Sequence, residues 1–372
     1  MRIVIIGAGF GGLNAAVTLQ KKLNPSQHEI LIISDNPQFV FRPSLIWLPF
    51  HKHSIDRFTF PLRPTFEKMD ITFIENRVQA IKPKKNYILC KNGEIIHYDF
   101  LILASGASPD WRRIKGLEGE SSSVYTISSA LKTRKKVEEL TENEPIVIGI
   151  AQGNPNQGIA YEFLFELDAF LNKQDIKCPI TFFTYEKKLF EGKGKKGTAR
   201  IEELMAKKQI KWYCDVSVKK IRGGHVYLNN GKHLPYSFTH ILPPYKGKEF
   251  VFSSKGFKHD HGILPVKETL QSVQWDNVFV VGDANDIKGA KTGRAAEQQG
   301  ILAAENIVKQ LNHEPLLSYQ HEQLFLTELG NEGAMLILNK LNDNGILKGT
   351  ISGIFPHLLK RAFEKYYMFK YS

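Results

Sequence analysis

A β-branched run, RIVII at residues 2–6, passes directly into Gly7-Ala8-Gly9-Phe10-Gly11-Gly12 and then into the apolar-periodic segment LNAAVTLQKKL. Strand, glycine turn and helix in that order confine the start of the chain to a nucleotide-binding β-α-β unit. Gly7 permits the turn, Gly9 lets the backbone approach a pyrophosphate, and Gly12, after Gly11, lets the helix pack close to the strand. The helix N-terminus then offers free N–H groups and a positive dipole end to phosphate oxygens. A second strand, EILIIS, ends in Ser34-Asp35, where a ribose hydroxyl finds an acceptor. The loop before this strand leaves open which of the two side chains reaches the ribose.

One such motif does not separate NAD from FAD. Two later segments do: Tyr98–Pro109, YDFLILASGASP, with Ala104-Ser105-Gly106 at its end, and Asn277–Asn285, NVFVVGDAN, with Gly282-Asp283. Both read as buried strands ending in small residues and resemble the other hallmarks of two-dinucleotide-binding flavoproteins. That resemblance implies FAD, with Asp283 on its ribityl or phosphate portion. Because GDAN lies far down the chain from GAGFGG, the FAD domain is split. The expected organisation is α/β, with two Rossmann-like domains, the second inserted into the first. Residues 1–115 and 262–312 would form the FAD domain, 116–261 the inserted domain, and 313–372 a C-terminal membrane-association segment. With 372 residues, 42% of them hydrophobic, the chain is long enough for such cores.

The inserted domain starts well and then departs. Pro145–Gly153, PIVIGIAQG, begins like a Rossmann strand, and GIAYEFLFELDAFL reads as a helix. Between them, Gly149 to Gly158 reads GIAQGNPNQG in place of GxGxxG. A longer loop carrying Ile, Gln and Pro does not give the same backbone approach to a pyrophosphate. The expectation is the fold without the usual NAD grip.

The chain resembles the sulfide:quinone oxidoreductases and their flavocytochrome c relatives. The resemblance is carried by Gly158-Ile159-Ala160-Tyr161-Glu162-Phe163, by Ile241-Leu242-Pro243-Pro244-Tyr245, by the arm FVFRPSL that includes Arg42 and Pro43, and by Lys291-Thr292-Gly293. It implies an FAD enzyme at a membrane surface, peripheral on the inner face of the cell membrane, that passes two electrons from a small donor to quinone. It also implies that Glu162 lies near the flavin edge, and quinone protons would be supplied through Glu162 or Lys291. Where sulfide oxidisers carry one redox cysteine this chain has Asn156, and the stretch resembling the partner's, LFLTELGNEGA, has Phe325 and no cysteine. Sulfur transfer through a cysteine pair needs two thiolates beside the flavin. The usual relay is therefore not expected, nor is a thioether-linked flavin. Thr292 to Gly300, TGRAAEQQG, resembles the quinone-site segment of type II NADH:quinone reductases; Gln298 and Gln299 are adjacent, so one of them, taken as Gln299, faces the ring. An NADH:quinone reductase and a non-catalytic flavin-binding partner protein stay as alternatives.

Cys90, Cys178 and Cys214 form no CxxC pair and fit a reducing, cytoplasmic compartment. No apolar segment reaches the roughly 18 residues of a membrane span. The tail FPHLLKRAFEKYYMFKYS instead reads as a basic amphipathic helix from about Leu358, with Leu359, Ala362, Phe363, Tyr366 and Tyr367 as the apolar stripe and Lys360, Arg361, Lys365 and Lys370 flanking it. Such a helix suits a headgroup layer; packing on the protein or a homodimer contact are the other readings. The formal charge of +12 favours acidic partners. Basic residues are dispersed, which argues against nucleic acid, and no metal-ligand spacing is present, His51–His53 included.

Overall fold

The computed structural model describes residues 1–289, 291–320, 323–342 and 345–372. Its first sheet has five parallel strands in the order Val278–Val280, Phe100–Leu103, Arg2–Ile6, Glu29–Ser34 and Thr72–Glu75. A second parallel sheet runs Lys211–Tyr213, Ile180–Thr184, Ile146–Ile150, Phe238–Leu242. Both central strands are continuous apolar runs, as strands covered on two faces must be. Val278–Val280 completes the first sheet only after the whole second sheet has been threaded, so one Rossmann-like layer interrupts the other. The chain passes between them beside an antiparallel ribbon, Ala107–Pro109 against Tyr245–Gly247.

Helix Phe10–Lys22 packs on helix Gly293–Leu311 at glycine contacts: a Cβ on Gly300 would stand 2.1 Å from the Gly11 carbonyl oxygen. This close approach brings both helix N-termini to the same edge of the first sheet.

An antiparallel meander, Gln323–Glu328, Ala334–Asn342 and Gly345–Gly353, leads into helix Ile354–Tyr371. The expected apolar stripe of this helix divides in two. Tyr367 is buried, with ring centroids 5.1, 5.3 and 5.6 Å from Phe10, Phe39 and Phe41. Its hydroxyl accepts from Asn14 Nδ2 at 2.9 Å, and the Tyr371 hydroxyl donates to Asn14 Oδ1 at 2.6 Å. Lys360, expected at the surface, is buried as well. The outward face is instead Ile354, Phe355, Leu358, Tyr366 and Phe369, the last 86% exposed. Lys360 and Tyr367 turn inward because anionic and aromatic partners wait there, which the period alone does not reveal. A further buried residue, Glu364, ties the helix to residues 44–57: Arg57 Nε donates at 2.8 Å, the Ser44 hydroxyl donates, and His53 Nε2 lies 3.1 Å away. Burial pushes this carboxyl up, but His53, Ser44 and Arg57 bring it down to about 2. Among the described residues no helix is long and apolar enough to cross a membrane.

Candidate active site

The glycine turn of the first sheet is shaped by contacts that tolerate no side chain. A Cβ on Gly12 would stand 1.8 Å from the Gly7 carbonyl oxygen; Gly7 itself has φ +99° and faces the Ala104 carbonyl. Gly9 is different. It caps helix Phe10–Lys22, is exposed, and a Cβ there would meet nothing within 4 Å. The protein thus leaves open space where a pyrophosphate would approach the helix N-terminus. At the adenosine end, the Ser34 hydroxyl is engaged with Asn36 O and N at 3.0 and 3.1 Å, while the exposed Asp35 carboxylate faces Arg77 at 4.0 Å. Asp35 is therefore the freer acceptor of the two.

Across the turn, Asp283 sits among Arg42, Lys248 and Lys291, and burial holds its carboxyl above the usual range against the pull of Lys291, Arg42 and Lys248. Burial likewise pulls Lys248 and Lys291 down. Arg42 stacks over Tyr125 at 4.8 Å, and Lys248 Nζ donates to Ser108 Oγ at 2.9 Å. Three cations around one carboxylate, all at least partly accessible, leave positive charge in excess. A dinucleotide pyrophosphate would fit that excess, and Asp283 would be an acceptor for its hydroxyls. Sequence reasoning missed Lys248 and Tyr125, because their place is set by the ribbon 107–109/245–247 and no local motif marks them.

The loop 282–293 is held from beneath. Gln299 is 3% exposed, and its Oε1 accepts from Gly282 N at 2.7 Å and Asn285 Nδ2 at 2.8 Å. It clamps the GDAN loop, so its oxygen is not presented to a ring. Lys291 Nζ donates to Asn285 O at 2.7 Å, and Thr292 caps the following helix by accepting from Ala295 N at 3.1 Å. The Lys291 carbonyl accepts from Asn156 Nδ2 at 3.0 Å. The 154–157 turn of the second sheet thus docks against Lys291, next to the helix that Thr292 caps. Phe325 lies under Lys193, whose Nζ is 3.4 Å from its ring centroid, and Thr327 is the strand residue that meets Gly158.

At the second nucleotide position the chain engages its own polar side chains. Glu186, just past the end of the strand next to Ile146–Ile150, would be the ribose acceptor; it takes hydrogen bonds from Tyr161 at 2.7 Å, Thr184 at 2.8 Å and Glu191 N at 2.9 Å. Gln157, at the helix N-terminus, donates to Tyr185 at 2.6 Å and Asn154 O at 3.2 Å. Gly149 serves packing: a Cβ there would fall 2.2 Å from the Phe183 ring. The Glu186 carboxylate and the Gln157 amide are thus both engaged within the chain.

Glu162 is buried and paired. Its Oε1 lies 2.9 Å from Lys360 Nζ of the C-terminal helix and accepts from Glu328 N at 3.1 Å. Burial raises its pKa, Lys360 opposes, and the Glu328 charge adds to the rise. Glu328 in turn meets His357 of the same C-terminal helix, its Oε2 lying 2.8 Å from the ring Nδ1. The thiols stand elsewhere: burial pushes Cys90 and Cys214 up to about 11 and raises Cys178, so none is a ready thiolate.

A glycine cradle with an anion-accepting cleft, on a doubled Rossmann layer, defines a two-dinucleotide flavoprotein, an FAD-dependent oxidoreductase. Residues 1–300 match the pyridine nucleotide-disulphide oxidoreductase family. The chain is 32% identical over 394 residues to the sulfide-quinone reductase of Aquifex aeolicus, covering 99% of this chain and 90% of that one. The X-ray structure of the A. aeolicus sulfide:quinone oxidoreductase superposes with a TM-score of 0.92 at 31% identity, over 99% and 91% of the two chains. A probable NADH dehydrogenase of Dictyostelium discoideum is 25% identical over 349 residues, 84% of this chain and 75% of the other. This chain belongs to the pyridine nucleotide-disulphide oxidoreductase family, in its sulfide-quinone reductase branch, and its cofactor is FAD.

Proposed function

We propose that the enzyme takes an electron pair from a small donor, with sulfide as the first candidate, and delivers it to a membrane quinone without a cysteine relay. Bound FAD supplies the two-electron chemistry. Gly7, Gly9, Gly11 and Gly12 admit its pyrophosphate, Asp35 takes its ribose, and Arg42, Lys248 and Asp283 bind the phosphate and ribityl portion. Pro43, Ala104, Ser105, Gly106, Gly282, Thr292 and Gly293 shape the remaining wall. Gln299 positions the GDAN loop, and Lys291 fixes the same loop against the Asn156 turn.

The observation that carries the reading is the buried Glu162–Lys360 pair, which joins the helix beside the flavin loop to a helix whose other face is exposed and apolar. A carboxyl raised by burial is suited to give a proton to a reduced quinone oxygen. Exposed Phe369, Phe355 and Leu358 suit a headgroup layer, where a lipid substrate is met. Cosedimentation with anionic vesicles is expected for the native protein and is expected to be largely lost in the double variant Leu358→Asp/Phe369→Asp. Equal binding by both would discard the apolar face of this helix as the membrane contact, and no binding by the native protein would discard the membrane assignment.

Anaerobic stopped-flow on the yellow holoprotein tests the donor. Sulfide is expected to bleach the flavin band within seconds, whereas stoichiometric NADH leaves it intact because Glu186 and Gln157 are already engaged. Fast bleaching by NADH would replace this reading with an NADH:quinone reductase; silence with both donors would favour a flavin-binding partner protein.

A further inference from the structure

Glu166 has no part in the scheme above, yet it is fully buried. It lies one turn beyond Glu162 on helix Gly158–Lys173, so both carboxyls project from the same inward face. Lys52 Nζ stands 2.6 Å from Glu166 Oε2, and the Lys52 side chain is 40% exposed. This is where the buried row opens to solvent. On its inner side, Lys360 Nζ lies 2.9 Å from Glu162 and 4.7 Å from the Trp47 ring centroid, and it senses the Glu166 charge.

Glu166 Oε1, Trp47 Nε1 and Glu328 Oε1, all in this region, have no hydrogen-bond partner among the described residues. Buried atoms of this kind are satisfied by internal water. A purely structural row would be better served by apolar residues, since burying these charges costs several kcal/mol per ion before pairing offsets it.

We propose that Glu166 is a proton-relay group connecting solvent at Lys52 to Glu162. The proposal rests on the reading of Glu162 as the proton donor to quinone. Reduction of quinone to quinol takes two electrons and two protons; bound FAD would supply the electron pair with one proton, and the Glu162 carboxyl the other. Glu162, left as a carboxylate, regains its proton from Glu166 across water held by Trp47 Nε1, and Glu166 regains its own from solvent beside Lys52. Glu328, Lys360 and Lys52 face this row from the meander strand, the C-terminal helix and the turn after residue 50, with His357 beside Glu328 and His53 against Trp47 as the further titratable groups.

The test does not depend on turnover. In resting holoprotein, at a pH where the infrared band of the protonated Glu162 carboxyl is present and is identified by its loss in Glu162→Gln, transfer to D2O shifts the band at a measurable rate. Glu166→Gln is expected to slow that exchange by about tenfold or more, and Glu166→Asp to restore much of it. FAD content is expected to be unchanged in both. Reoxidation of donor-reduced flavin by quinone slows in parallel in Glu166→Gln and recovers with added formate, while flavin reduction keeps its rate. Lys52→Met, at the exposed end, is expected to give the same slowing, with its folding checked by thermal unfolding because buried Glu166 loses its counter-charge. Native exchange in Glu166→Gln and Lys52→Met overturns the relay, as does slowed exchange with native reoxidation. If native protein fails to reduce quinone at all, the functional reading falls while the exchange rates still decide the path.

Discussion

Lys360→Leu is expected to destabilise the protein by about 3–5 kcal/mol at neutral pH and to abolish rapid quinone reduction. The substitution removes the cation 2.9 Å from Glu162 and 3.9 Å from Glu328, and both carboxyls stay buried. An uncompensated buried charge is costlier than a lost pair is valuable. The pH dependence has a definite sign. The folded-state pKa of Glu162 is already raised by burial, and losing Lys360 raises it further. A carboxyl with a raised folded pKa favours the folded state on the acid side, and that contribution is lost as pH rises through the folded value. The deficit of Lys360→Leu should therefore shrink as pH falls below neutral and grow towards alkaline pH. Urea unfolding of both proteins across that range measures it. A deficit that does not vary with pH would mean that packing of the lysine stem against Trp47, and not charge, is what the residue contributes.

Gly9→Val and Gly12→Ala, three residues apart on the same turn, are expected to fail in opposite ways. At Gly12 the new Cβ has backbone 1.8 Å away, so helix Phe10–Lys22 must move off the strand, at a cost above about 3 kcal/mol. The protein should be recovered poorly, with or without flavin. At Gly9 a Cβ meets no protein atom within 4 Å, and the apoprotein should keep its stability to within about 1 kcal/mol, the cost of Val at a helix N-cap. The same side chain would stand in the pyrophosphate's path, so FAD affinity should fall about a hundredfold or more, a loss of about 3 kcal/mol. Thermal unfolding of apoprotein and flavin titration separate the two. Full FAD occupancy in Gly9→Val would place the pyrophosphate elsewhere and undo the cradle assignment.

The site was unevenly legible before the fold was known. The glycine turn, the two β-strands ending in Ala104-Ser105-Gly106 and Gly282-Asp283, and the absent second fingerprint are local patterns, and the strands that carry them form where those patterns predict. What a local pattern does not encode is a partner distant in the chain. Gln299 read as a ring-facing amide because its neighbours resemble a quinone segment; its oxygen is committed to Gly282 and Asn285. Glu162 gave no sign of being paired, since Lys360 lies 198 residues away. The tail's aromatic period was plain, but periodicity leaves the direction of a stripe open, and the packing of Phe10, Phe39 and Phe41 chose Tyr367 for the interior.

The doubled α/β framework, the FAD turn and the departure of Gly149–Gly158 from GxGxxG all follow from residue types within a few positions of one another, and so were written in the primary structure. Folding was needed to bring a lysine of the last helix onto Glu162, to close off Glu186 with Tyr161, and to lead from the Glu162 pair through Glu166 to Lys52. Those arrangements depend on charge and burial between segments far apart in the chain, where the free energy of a side chain is set by its surroundings and not by its neighbours in sequence.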